Sequence, residues 1–180
     1  MHTDRQHRPL PSRPRRVRRW RSYSVTGVIG LTMLAGQCAP QQCAPAPAAA
    51  PAPAALQQVI DLTNAERARV RLPALSIDQR LMNAAQGHSA DQAGRDQMTH
   101  TGSDGSDAGA RIARQGYSWR AWGENVAVGY PDAPSVMGGW MDSSGHRANI
   151  LSASVTQIGV GLAYSADGSP YWTQVFAAPR

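Results

Sequence analysis

Three short polar islands interrupt apolar sequence in this 180-residue chain: Ala85-Gln-Gly-His88-Ser, Gly123-Glu124-Asn125, and Trp140-Met-Asp-Ser-Ser-Gly-His146-Arg-Ala-Asn-Ile-Leu151. Of five histidines, His2 and His7 lie in the basic N-terminus, which leaves His88, His100 and His146. Beyond residue 38 there are only two glutamates, Glu66 and Glu124. Imidazoles with one carboxylate are a common catalytic zinc set, with water in the open position. Zinc held in this way lowers the pKa of that water towards about 7 and makes it a nucleophile. His88, His100 and His146, with Glu66 or Glu124 as the carboxylate, are therefore the groups that could hold zinc or another divalent cation. The spacing is not itself a metal signature, because neither His-Glu-x-x-His nor a metal-binding cysteine pair is present. The residues alone leave open a hydrogen-bonded core histidine at 88 and a solvated one at 100. Ser144 beside His146 lacks the strand-turn-helix elbow that a nucleophilic serine uses.

The elements that must position these groups follow from periodicity. Leu56, Val59, Ile60 and Thr63 recur at helical spacing until Pro73 stops the pattern. A second helix is expected from Asp78 to Gln97, with Ser76 and Gln79 as a capping box. On it Leu81, Ala85, His88 and Gln92 share one face, so His88 points where the apolar side points. The stretch from Thr101 to Asp107 is a loop by composition. A short helix follows from Ala108 to Gln115, capped by Asp107 or Ser106. From Trp119 to Tyr130 the pattern alternates as in a strand, with Glu124 at its start. Pro134 opens a helix carrying Val136, Met137, Trp140 and Met141 that ends at Ser143-Ser-Gly145. Ile158, Val160, Leu162 and Tyr164 alternate, Ala166-Asp-Gly-Ser169 turns, and Tyr171 to Phe176 returns. An antiparallel sheet with helices on both sides buries all these faces, with Trp140, Trp172 and Phe176 in the core.

Charge divides the chain unevenly. The formal net charge is +6, yet residues 1–38 hold eight arginines against Asp4, while the remainder holds ten arginines against eleven acids. The basic pI thus belongs to the tail, and nucleic-acid binding by the folded part loses its electrostatic argument. An arginine-rich stretch ahead of the apolar run Val25 to Gly36 reads as an export signal. As a helix that run rises about 18 Å, short of a bilayer core of roughly 30 Å. A short N-terminal membrane anchor and lipidation of Cys38 are the alternatives. Residues 39–55 are nearly all Ala, Pro, Gln and Cys and read as an extended linker. The folded domain is then 56–180, without a cysteine.

From Val59 to Phe176 the chain resembles the CAP superfamily of cysteine-rich secretory, antigen 5 and pathogenesis-related 1 proteins, in its bacterial form. The matching pieces are Asn64-Ala-Glu-Arg67, Ala85-Gln-Gly-His88-Ser-Ala-Asp91, Gly116-Tyr117 with Gly123-Glu-Asn-Val-Ala127, Gly145-His-Arg-Ala-Asn-Ile-Leu151, Ile158-Gly-Val-Gly161 and Tyr171-Trp-Thr-Gln-Val-Phe176. The resemblance implies an α+β fold, a three-layer α-β-α sandwich on a mainly antiparallel sheet. It also implies a cleft lined by two histidines and two acids where many members bind zinc or another divalent ion. His88, Glu124 and His146 match three of these. The fourth position departs: Thr99-His100-Thr101 stands where relatives carry a glutamate, which makes His100 the occupant. Asn125 and Ser89 are expected to orient such groups, and Arg147 to cap the preceding helix or pair with an acid.

CAP domains serve as lipid carriers, adhesion and signalling modules, and as proposed hydrolases, so the family does not fix the task. The resemblance implies an exported, extracytoplasmic binding module whose partner is an envelope, lipid or cell-wall ligand, with membrane contact only through the N-terminal segment. A metal-dependent hydrolase with Glu124 as base, and a structural domain whose His/Glu cluster is only polar core, are the competing readings.

Overall fold

A computed structural model describes residues 52–180. The expected export signal, the lipidation site at Cys38 and most of the Ala/Pro linker lie outside the described residues. The first helix, α1, runs Ala52–Arg69 and so begins ahead of Leu56. A two-residue strand, β1 (Ser76–Ile77), precedes α2 (Gln79–Arg95). Then come α3 (Ala108–Arg114), β2 (Trp119–Val128), α4 (Ala133–Asp142), α5 (Ser144–Ile150), β3 (Gln157–Tyr164) and β4 (Pro170–Pro179). Among the described residues no helix is long and apolar enough to cross a membrane.

The sheet has the order β1-β3-β4-β2, with β1 parallel to β3 and the other pairs antiparallel. Along β4 the side chains alternate between two cores. Trp172 and Phe176 join Ile158, Val160, Val136, Trp140 and Ile150 under α1, α4 and α5. Val175 and Ala177 join Leu81, Ala84, Ala85, Ile112 and Tyr117 under α2 and α3. The result is the three-layer α-β-α sandwich. Helix α2 lies so close on β3 that a Cβ at Gly159 would sit 2.1 Å from the Leu81 carbonyl carbon, and one at Gly161 2.4 Å from that of Ala85. Only glycine permits such an approach.

Several local details differ from the sequence reading. Asp78, not Ser76, caps α2: its side chain accepts from the Arg80 amide. Ser76 is instead paired in β1 with Gln157, because its amide finds the Thr156 carbonyl at 3.1 Å. Asp107 caps α3 as expected, and Asp132 with Ser135 forms the capping box of α4. Helix α4 does end at this segment, with Ser143 extended as its cap, but the chain re-enters a helix at once, since α5 begins at Ser144 and carries His146. Glu124 lies within β2 rather than at its start. Arg67 is buried and among the described residues meets no carboxylate. Its guanidinium donates to the carbonyls of Pro73 (2.9 Å), Ile150 (2.9 Å) and Ser152 (2.7 Å), tying α1 to the C-terminal end of α5, where the helix dipole favours a cation.

Candidate functional site

Glu124 and Asn125 are neighbours on β2 and therefore point to opposite faces of the sheet. Glu124 is registered against Val175 on the α2 and α3 side, and Asn125 against Gln174 on the α1, α4 and α5 side. The strand is at the sheet edge, so the two faces meet there.

On the Glu124 face the carboxylate is buried and both oxygens are engaged. Oε2 accepts from Nη2 of Arg111 at 2.6 Å, and Oε1 faces Nδ1 of His100 at 2.9 Å. Arg111 also donates from Nη1 to the carbonyls of His100 (3.1 Å) and Ser106 (2.7 Å). One guanidinium thus neutralises Glu124 and fastens the loop that carries His100. A second clamp acts on Thr99: its amide donates to Oε1 of Gln92 at 3.1 Å, and its carbonyl lies 2.8 Å from Nε2 of His88. A carbonyl can only accept, so Nε2 of His88 carries the proton. His88 Nε2 comes within 3.9 Å of Glu124 Oε1, while its Nδ1 is buried with no hydrogen-bond partner among the described residues. Burial holds the His88 imidazole below its ordinary pKa, against the opposing pull of Glu124. The hydrogen bond to Glu124 raises that of His100, whose side chain is 60% exposed.

On the other face a polar chain crosses the core. Gln174 donates to Thr63 at 2.7 Å, Asn125 donates to Gln174 at 3.1 Å and to the His146 carbonyl at 3.1 Å. Asn149 donates to Oδ1 of Asn125 at 2.8 Å and to the Glu124 carbonyl at 3.0 Å. Asn125 and Asn149 thereby fix α5 on the strand edge. His146 lines a pocket with Met98, Tyr130 and Trp140, and burial first, then the charge on His100, lowers its pKa. Ser89 donates to Thr173 at 3.0 Å rather than to a histidine. Arg147 caps the preceding helix, through the Met141 carbonyl at 2.6 Å.

The structure brings His88, His100 and Glu124 together, and His146 joins them in neither an ion pair nor a side-chain hydrogen bond. Among the described residues no three His, Cys, Asp or Glu side chains are placed to hold one metal ion. As placed, the donor set does not fit a divalent ion, because Arg111 occupies Glu124 and the Thr99 carbonyl occupies His88 Nε2. Sequence reasoning missed Arg111, since an arginine on a short helix reads as solvated. It also missed Trp122, whose place in the alternation of β2 marks the same face as Glu124.

Comparison with known proteins agrees with this architecture. Residues 60–176 match the Cysteine-rich secretory protein family, CAP, and the chain belongs to that family. It is 38% identical over 120 residues to the uncharacterized Bacillus subtilis (strain 168) protein YkwD, covering 67% of this chain and 46% of that protein. It is 32% identical over 120 residues to the uncharacterized membrane protein YlbC of the same organism, covering 67% of this chain and 33% of that one. The chain thus spans less than half of these relatives. Among solved structures, an extracellular protein containing an SCP domain from Bacillus anthracis superposes with a TM-score of 0.64 at 34% identity, covering 70% of this chain and 41% of that one.

Proposed function

We propose that this protein is an exported CAP domain that acts at the cell envelope as a binding module, through the cleft at the β2 edge beside His100, Glu124 and Asn149. One observation carries the reading: Glu124, the candidate base, has both oxygens engaged, by Arg111 at 2.6 Å and His100 at 2.9 Å. A general base works best with its carboxylate free of competing cationic donors, and here each oxygen already accepts a bond that holds the loop, Oε2 from Arg111 and Oε1 from His100. The extracellular protein from Bacillus anthracis and the membrane protein YlbC support placement outside the cytoplasm, as does the arginine-rich, apolar N-terminal segment.

A divalent cation enters this reading only as a ligand that displaces Arg111 from Glu124 and the Thr99 carbonyl from His88. The cleft residues otherwise orient themselves: Arg111 holds the carboxylate, Gln92 and His88 hold Thr99, and Asn149 closes the strand edge. The test is co-sedimentation of the full chain with purified cell-wall sacculi and with lipid vesicles, as wild type and Glu124→Gln. Saturable binding that survives Glu124→Gln is expected. Metal-dependent hydrolysis of wall material that Glu124→Gln abolishes would reinstate the hydrolase.

A further inference from the structure

The edge cleft, about 320 Å³ in volume, is at the small end of ligand sites. Trp122, 38% exposed, is the one aromatic among its lining residues apart from His100. A single exposed aromatic is ordinary, but this one is held rigid. Trp119 meets it edge-on, with ring centroids 6.1 Å apart and planes at 77°. Trp119 is itself anchored by donating from Nε1 to the Gly109 carbonyl at 3.0 Å. A Cβ on Gly109 would sit 2.7 Å from Nε1 of Trp122 and 3.1 Å from Cζ2 of Trp119. Helix α3 gives up a side chain there so that both indoles can lie against its backbone. Trp122 is thus a fixed, solvent-facing aromatic surface, with little side-chain entropy left to lose on binding.

The polar groups around it are fixed by their far ends. His100 uses Nδ1 on Glu124, which leaves Nε2. Asn149 uses its amide N–H groups on the Glu124 carbonyl and Asn125, which leaves Oδ1. Asp107 uses Oδ1 to cap α3 at Ala110, which leaves Oδ2. All three residues line the cleft with Trp122. Among the described residues no arginine lines it, and the Glu124 charge is already met by Arg111, so a polyanion finds no counter-charge there. One aromatic face without a surrounding cage is a poor enclosure for a quaternary ammonium. An uncharged ring with C–H groups on one face and hydroxyls at its rim fits: polarised C–H groups favour the negative face of an indole, and the rim hydroxyls meet fixed acceptors.

Building on the envelope-binding reading above, we propose that this cleft is a sugar site in which Trp122 stacks on a pyranose ring of an envelope glycan and Asn149, Asp107 and His100 take its hydroxyl groups. The indole signals make the test specific. Trp119, Trp140 and Trp172 each donate Nε1–H to a backbone carbonyl, and Trp122 has no such partner among the described residues.

The full chain, ¹⁵N-labelled at tryptophan, is titrated with the tetramer of N-acetylglucosamine and, separately, with polyglycerol phosphate. The Trp122 indole signal is expected to move saturably with the sugar alone, while those of Trp140 and Trp172 stay in place. Trp122→Ala should weaken sugar binding about tenfold or more and Trp122→Phe much less. If the alanine variant does not fold, the wild-type titration decides. Sacculi binding with an unmoved Trp122 signal overturns the sugar site and leaves the envelope reading standing. A signal moved by the polyanion instead overturns the ligand class, and loss of binding to sacculi and sugar alike removes both.

Discussion

Arg111 and Glu124 form a buried ion pair, Nη2 to Oε2 at 2.6 Å, that joins α3 to the edge strand β2. Because the same guanidinium also holds the carbonyls of His100 and Ser106, the pair is structural before it is anything else. Removing one partner strands the other's charge in a buried place. Arg111→Met is expected to cost about 3–5 kcal/mol, and adding Glu124→Leu to it should recover most of the loss. Urea denaturation of the two single variants and the double variant gives the coupling directly. Additive losses would mean that water reaches the carboxylate freely.

The two histidines beside Glu124 pull stability in opposite directions with pH. His88 has a folded pKa below the unfolded value of about 6.5, because burial disfavours its charged form. As pH falls below 6.5 the unfolded chain takes up that proton more readily, so this residue lowers stability. His100 has a folded pKa above the unfolded value through its bond to Glu124. Its contribution is therefore full below pH 6.5 and is lost as pH rises through the folded pKa. In His100→Asn the acid limb should steepen, and its melting temperature should fall increasingly behind that of wild type between pH 8 and pH 6. A constant difference across that range would remove His100 from the linkage.

How much of this was legible can be seen strand by strand. The β3 to β4 hairpin was readable because Ile158, Val160 and Leu162 alternate and Asp167-Gly168 marks the turn. Strand β1 was not, since two residues carry no period and its pairing depends on Gln157 and Ile158, far along the chain. Helix α5 was hidden because Ser143-Ser-Gly145 reads as a stop, while the structure restarts a helix at once with Asn125 and Asn149 fixing it. At the site, His88, His100 and Glu124 stood out by residue type. Arg111 did not, because what gives it a role is a partner thirteen positions later that no local pattern specifies.

Two glycine substitutions separate close packing from chain flexibility. Gly161→Ala forces a methyl group to within 2.4 Å of the Ala85 carbonyl carbon, backbone against backbone. No side chain can yield there, so a loss at or above the upper end of the usual 1–3 kcal/mol for overpacking is expected. Gly87→Ala, in the interior of α2 with open space around the added methyl group, should instead stabilise by about 0.5–1 kcal/mol. Thermal melts of the two variants check both signs. A neutral Gly161→Ala would mean that α2 lies farther from β3 than described.

Zinc provides the sharpest test of the cleft. A ligand at a hundred times its dissociation constant adds about 2.7 kcal/mol, which for a domain of this size raises the melting temperature by something on the order of 10 °C. In wild type an incoming ion must first take Glu124 from Arg111, leaving a buried guanidinium unpaired at a cost of about 3–5 kcal/mol. That cost raises the apparent dissociation constant about a hundredfold or more, so at a zinc concentration that would saturate an unobstructed site little or no shift is expected. Arg111→Met lifts the obstacle: Glu124 is freed beside His100 and 3.9 Å from His88, and the destabilised variant should then be rescued by zinc. Rescue should disappear in Arg111→Met combined with His88→Ala. A full shift in wild type would instead mean that Arg111 yields readily, and would restore His88, His100, His146 and Glu124 as a working metal set.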